Sequence, residues 1–344
     1  MKISGYVYQD GQFFEGTIHI DEGIIKEITR RIDREAPVKG VIIPKPHNAH
    51  AHLLDYVAKD LTEERDLLKL VAPPNGIKHK IISRASVNSL KDAINVASFL
   101  ALKHHLGLVT EFRELGSKGV SLGKPSNIFR VLARPRTVEE ARYLIDSTDG
   151  FNLSSISDVD HSFAKEISKI ARLHKKIFGI HVSERIREDI KLVLDLEPTF
   201  IVHAIKATIK DLKEISEAEI PIVVCPRSNA YFGKLPRVDK MIELRIRVLL
   251  GTDNHMVNSI NIFEEAEFLY KISRAFGMDI KGLEIIKMLF RDFNSDLSIH
   301  EGMRAKDIIV LEDLRGKPEL IILNRHSSVN VYDLSSPRVA IRSA

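Results

Sequence analysis

Between residues 41 and 55 the chain reads VIIPKPHNAHAHLLD, which sets His47, His50 and His52 directly behind a β-branched apolar run. Side chains of a strand alternate faces, so His50 and His52 share one face and His47 takes the other. Two same-face imidazoles two residues apart can reach a single metal ion, and imidazole is a common ligand for zinc-like ions. The H-x-H spacing alone is equally compatible with a histidine-rich loop. Further reactive side chains recur downstream, each closing a short apolar segment: His181 and Glu184 in FGIHVSE, His203 in FIVHA and Asp253 in LLGTDN. Any one of them alone is more often a cap or a satisfied core polar group. Their shared position behind apolar runs argues for a common site.

The elements that must position these groups follow from the hydrophobic pattern. Strands are expected at 47–52, 107–112, 128–133, 150–155, 177–182, 199–204, 221–225 and 247–252, and amphipathic helical stretches such as SLKDAINVASFLALKHH, FAKEISKIARLHKK and ERIREDIKLVLDL lie between them. Alternating strands and helices imply a parallel sheet, and eight such units over roughly 250 residues fit a closed (β/α)8 TIM barrel. An open doubly wound sheet is the alternative, because ELGSKGVSLGKPS after the second strand is short for a helix. Catalytic groups of such a barrel sit at the C-terminal ends of its strands, and every residue singled out above lies at one. Outside this block the texture is β-rich: ISGYVYQ, TIHI and IIKEI at one end, DIIVLED, ELIIL and SVNVYDL at the other. Residues 1–44 and 300–344 are therefore expected to build one small flanking β-sandwich domain, with the barrel over 45–299.

The motifs NAHAH, HVSE, VHAIKAT, CPRSN and LLGTDN…NIFEEAEFL stand in the order and context of the amidohydrolase superfamily, and the chain most resembles its cytosine-deaminase-like and chlorohydrolase or guanine-deaminase-like branch. EGTIHIDEGIIKEI and EGMRAKDIIVLE look like that branch's flanking β-sandwich, so the resemblance spans nearly the whole chain. It implies that His50, His52, His181 and Asp253 are metal ligands, Glu184 the proton shuttle and His203 a hydrogen-bonding electrophile. PKPHNAH departs from the family's usual entry to the first strand but leaves the histidine pair intact. Binuclear relatives carry a carboxylated lysine ending strand four, where GFNLSSISD offers none, so one divalent ion is expected, zinc ahead of iron. Three neutral imidazoles and a carboxylate leave room for a water whose pKa such an ion lowers to about 7. Glu184 can move its proton, while His203 and Asp253 orient the attacking oxygen.

Three arginines also fall near strand ends: Arg113, Arg134 and Arg227. Surface solvation explains them blandly; convergence of two would favour a substrate bearing carboxylate or phosphate, which guanidinium binds bidentately. Asn229, with Ser228, ends strand seven in CPRSN, and His255 follows Asp253 by two; both are further candidates for substrate contact. Ser121 sits in GVSLG, but a nucleophile elbow must follow a strand and open a helix, and this serine precedes a strand. Cys225 has no Cys-x-x-Cys partner, which excludes the zinc signature of nucleoside deaminases of another fold. His104 and His105 suit a helix C-terminus. His79 lies in the long 54–84 segment, where a lid over the mouth is expected.

Composition bounds the rest. Lys and Arg number 51 against 47 Asp and Glu, a net charge of +4 with no basic stripe of the nucleic-acid-binding kind. A single cysteine, no signal-peptide layout and no long apolar run point to a cytoplasmic protein without membrane association, acting on a small molecule. Barrels of this kind often pair, so a homodimer is compatible. The expected activity is deamination of an amino-substituted heterocycle, a nucleobase or nucleoside derivative. Hydrolysis of a cyclic amide or imidate by the same apparatus is the alternative, and a non-catalytic metal-binding scaffold is the third reading, against which Glu184 argues.

Overall fold

The computed structural model describes residues 1–71 and 75–335, and the chain divides into two compact units. One unit gathers Met1–His47, His105–Gly107 and the described residues from Ala266 onward. It holds a six-stranded mixed sheet in the order Val331–Asp333, Ile308–Leu311, Val38–Pro44, Lys2–Gln9, Gln12–Asp21, Ile24–Thr29. The first hairpin turns on Asp10 and Gly11, both at positive φ (49° and 76°), as a two-residue loop matched to strand twist requires. Strands from opposite ends of the sequence pair directly, with Ile308–Leu311 antiparallel to Val41–Pro44. Ile3, Val7, Ile18, Ile25, Ile42, Ile308 and Val310 are buried together, and that shared core is what ties the two ends of the chain. ELIIL, expected as a strand, is instead inside a helix, Pro318–Arg325. Pro318 at the first helical position fixes φ where no N–H is needed, and the helix buries it together with Ile321 and Ile322, three and four positions on, and with Leu323.

The other unit, Asn48–His104 and Leu108–Glu265, is the barrel. Its parallel strands are β1 (His47–His52), β2 (Leu108–Arg113), β3 (Phe129–Ala133), β4 (Gly150–Leu153), β5 (Ile177–Val182), β6 (Phe200–His203), β7 (Ile222–Val224) and β8 (Val248–Leu250, resuming as Asp253–Asn254). Val248–Leu250 pairs with β7, and Asp253–Asn254 then pairs with β1, Asp253 opposite Ala51, so the ring closes and the open-sheet alternative falls. The bend between the two pieces needs Gly251, since a Cβ there would lie 2.7 Å from that of His50. Asn48 secures it by taking the Thr252 N–H (3.1 Å) and donating to Thr252 Oγ1 (2.7 Å). Phe112 and Phe200 meet inside the ring at 5.8 Å between centroids, and Phe151, Ile180 and Val202 are equally without solvent exposure, each burial contributing about 1.5–3 kcal/mol.

Helices join the strands, among them Val87–Lys103, capped by Ser86, and Val138–Leu144, capped by Thr137. After β2 only a five-residue helix forms, Gly116–Val120. The helix expected over 184–196 shrinks to Ile190–Leu194, because the chain leaves β5 through Ser183 at φ 48°. Glu188 folds back there, its Oε2 accepting the Ser183 N–H at 2.7 Å and its own N–H donating to Ser183 Oγ at 3.1 Å. These bonds satisfy the backbone without a helix and leave Glu184 and Arg185 on an ordered turn. No helix among the described residues is long and apolar enough to cross a membrane.

The turn is tied to the helix Ile209–Glu217 by Arg187, whose guanidinium forks onto Asp211 (2.8 and 2.7 Å). Asp211 also closes a capping box with Thr208. The Arg187 bonds, against burial and with help from the Thr208 donors, pull the Asp211 carboxyl down to about 2. Because this lies below the unfolded value of about 3.9, its stabilisation is complete above pH ~4 and is lost as pH falls through about 2. Asp211→Ala is expected to cost about 1–2 kcal/mol in urea unfolding at neutral pH. The gap from the parent protein should close toward pH 2; a gap independent of pH would contradict this account.

Candidate active site

The barrel mouth collects the ends of β1, β2, β5, β6 and β8. Leu115, Ser183, His203, Ala204 and Asp253 all take positive φ there (48–77°), a conformation that costs non-glycine residues free energy and turns each strand sharply out of the ring. The turns aim side chains inward. His50, His181, His203 and Asp253 each offer a ligand atom within 4.8 Å of the others. His50 Nε2 lies 3.1 Å from Asp253 Oδ1, and His52 Nε2 lies 3.5 Å from the same oxygen. This quartet has His203 where the sequence reading has His52, which groups instead with Asp55 and Glu114.

Hydrogen bonding separates them. His181 Nδ1 sits 3.1 Å from the carbonyl of Leu153, which only accepts, so this nitrogen carries the proton and Nε2 keeps its lone pair. His52 Nδ1 donates to Glu114 Oε1 at 2.7 Å, leaving its Nε2 lone pair facing the Asp253 carboxylate. Two acceptors at that separation call for a cation between them, and His50 Nδ1 is a buried nitrogen without a hydrogen-bond partner. His203 differs: Asn229 Nδ2 donates to its Nδ1 at 3.2 Å, so Nε2 bears hydrogen and is a donor. The grouped donors His50, His181, His203 and Asp253 thus fit a divalent ion, and His52 Nε2 stands at their edge, 3.5 Å from Asp253 Oδ1.

Burial makes the imidazoles neutral, as ligands must be; it lowers His50 and His181 and pushes His52 down to about 3. Burial opposes ionisation of Asp253, but the His50 hydrogen bond and the surrounding rings outweigh it and hold the carboxyl well below its usual range. Glu184 is pushed up by burial, and its Oε2 stands 3.7 Å from His203 Nε2. Phe112 forms the floor, its ring centroid 4.4 Å from that of His50 and 5.2 Å from that of His181.

Behind His52 lies a group that the sequence reading missed. Lys78, from the helix Ile77–Arg84, places Nζ 2.9 Å from Asp55 Oδ2 and 3.0 Å from Glu114 Oε1, with all three side chains at most 5% exposed. The ammonium and His52 keep Glu114 ionised against burial. Glu114 directly follows β2, so the rule that reactive groups sit at strand ends could have found it; Lys78 has no such signal.

The cavity in front of the cluster, about 740 Å³ including its open mouth, is lined by His52, His181, Glu184, His203 and Asp253 and by Leu67, Lys78 and His79 of the 54–84 segment. His79 is thus part of the wall, bonded to the Val71 carbonyl at 3.0 Å. The three strand-end arginines do not converge. Arg113 is fully buried on Glu111 (2.5 and 2.6 Å) and holds the Gly119 and Gly123 carbonyls, so it braces the loop after β2. Arg227 is spent on Glu264, Glu265 and the Ser259 carbonyl. Of these three, Arg134 alone is in the cavity lining. His255 bonds the Asn258 carbonyl at 2.9 Å and is not among the lining residues, and Asn229 reaches the site only through His203. Ser228 Oγ donates to Asp253, and Cys225 is buried.

A parallel eight-stranded ring with a divalent-metal site and a buried acid at its mouth defines a metal-dependent hydrolase of carbon–nitrogen bonds. No model of a known protein family matches the chain. A provisionally named aminohydrolase of Methanothermobacter thermautotrophicus is 31% identical, covering 92% of this chain and 91% of its own length. Another from Archaeoglobus fulgidus is 34% identical over 74% of this chain and 76% of its own. The structure of a zinc-bound adenosine deaminase from Xanthomonas campestris superposes with a TM-score of 0.77 at 14% identity, over 96% of this chain and 91% of that one. The chain belongs to the same family as these archaeal aminohydrolases, and it shares the fold of the zinc-bound adenosine deaminase.

Glu114→Gln should lower divalent-ion affinity about 10–100-fold in a chelator competition, since the amide holds the His52 N–H less firmly. Lys78→Met leaves buried carboxylates without their cation and should cost about 3–5 kcal/mol of stability. Unchanged affinity and unchanged stability would separate this cluster from the site.

Proposed function

We propose that the protein deaminates an amino-substituted heterocycle, a nucleobase or nucleoside derivative, using one zinc ion held by His50, His52, His181 and Asp253. The convergence of His50, His181, His203 and Asp253, with His52 against Asp253 and Glu184 3.7 Å from His203, carries the reading. Bound there, the ion supplies the Lewis acidity that makes water nucleophilic near neutral pH. Glu184 takes the proton of the attacking water and returns it to the departing nitrogen, so that water and the amino compound become a carbonyl and ammonia. Its raised pKa suits it to hold that proton between the two transfers. His203, its Nε2–H directed by Asn229, stabilises charge developing on the attacked ring, and Ser228 keeps Asp253 oriented. The aminohydrolase names of the relatives and the zinc in the adenosine deaminase of like fold support the same chemistry.

Metal analysis of the purified protein, with an ammonia-release screen over purines, pyrimidines and pterins, tests cofactor and reaction together. One zinc per chain and ammonia from at least one class are expected. Glu184→Gln should retain the metal while kcat falls about 10²–10⁴-fold. Carbon–nitrogen cleavage of a cyclic amide without ammonia, or full activity in the glutamine variant, would overturn the assignment.

A further inference from the structure

The same cavity is lined by Arg134, from the turn after β3, and by Arg185, next to Glu184, with Ser154, Ser155 and Ser157 also in the lining. Arg134 is held in place. Its Nε donates to Asn152 Oδ1 at 2.8 Å, and Asn152 is itself fully buried and anchored through Nδ2 to the Leu132 carbonyl. The guanidinium is thereby pinned by one nitrogen while its two terminal nitrogens have no hydrogen-bond partner among the described residues. Arg185 makes neither a hydrogen bond nor an ion pair among the described residues, although its turn is fixed by Glu188. Ser155 Oγ is drawn onto the same Glu188 carboxylate, so that one buried acid organises both loops.

This sets the pair apart from Arg113, Arg187 and Arg227, each of which grips a carboxylate. Both guanidinium groups are half-buried, where a charge without a partner is costly. The acid on their side of the cavity is Asp158, which feels both cations yet lies beyond ion-pair distance of either. Glu188 is taken up by Ser155, Ser157 and Ser183, and neither it nor Asp158 pairs with either guanidinium, so both cations keep charge to spare. Lys78 adds nothing, being committed to Asp55 and Glu114.

We infer that Arg134 and Arg185 form an oxyanion subsite, so that the substrate carries a phosphate or carboxylate at the end remote from the amino group that is replaced. The inference deepens the deaminase reading and rests on it for the inner end of the cavity only. A guanidinium held at Nε presents its outer nitrogens as a ready fork, the geometry that recognises planar or tetrahedral oxyanions.

The test uses zinc-loaded Glu184→Gln protein and compounds that differ only in the anion: adenosine against adenosine 5′-monophosphate for phosphate, pterin against pterin-6-carboxylate for carboxylate. Calorimetry should show the anionic member of at least one pair binding about tenfold tighter or better. That preference should collapse toward unity in Arg134→Met and in Arg185→Met, with Arg134→Lys intermediate as a folded control for charge without the fork. In protein that retains Glu184, the same substitutions should act on KM for the anionic compound far more than on kcat. Inorganic phosphate alone should bind the parent protein and be lost in the doubly substituted one. No preference within either pair, a preference that survives both substitutions, or phosphate bound equally by both proteins overturns the subsite. Anion preference without ammonia from any compound would instead sink the deaminase reading and leave the subsite standing.

Discussion

The structure depends on the closure of its ring. Strand β8 breaks at Gly251 and resumes at Asp253, which pairs opposite Ala51, between His50 and His52. That pairing brings Asp253 Oδ1 to 3.1 Å from His50 Nε2 across more than half of the sequence. Without it, the H-x-H pair would have no carboxylate, and β5 and β6 would have no ring in which to place His181 and His203. Asn48 and Gly251 serve the same end: one stitches the bend with hydrogen bonds, and the other makes room for it.

Dryness gives the closed site its chemistry. Imidazoles away from water lose their protons and become ligands, whereas a carboxyl in the same place needs donors to stay ionised. Asp253 and Glu114 have them and are held ionised, whereas Glu184 has fewer and is pushed toward its protonated form. The sharp left-handed turns at Ser183, His203 and Asp253 aim these groups, and the packed barrel beneath absorbs their cost.

Charge is also divided between bracing and recognition. Arg113 and Arg227 are locked by carboxylates and carbonyls into loops and helix starts, so their positive charge never reaches the cavity. Arg134 is instead fixed by a neutral amide, which positions it without neutralising it. All three read alike as arginines near strand ends; their partners, far away in sequence, make the difference.

The strands, their ends and the reactive residues at those ends were legible in the sequence, because alternation and β-branching are local properties and a parallel barrel puts its chemistry where each strand stops. His50, His52, His181, Glu184, His203 and Asp253 all emerged that way. Local pattern failed where a longer-range partner competes with it: Glu188 turns back on Ser183 and prevents a helix, and Pro318 opens one in a segment that reads as a strand. Tertiary structure alone decided that Lys78 neutralises Glu114 behind His52, that Asn152 holds Arg134 open and that Arg113 faces away. Each of these is a contact between side chains on separate elements, and its energy depends on burial and partner distance, quantities that exist only once the chain has folded.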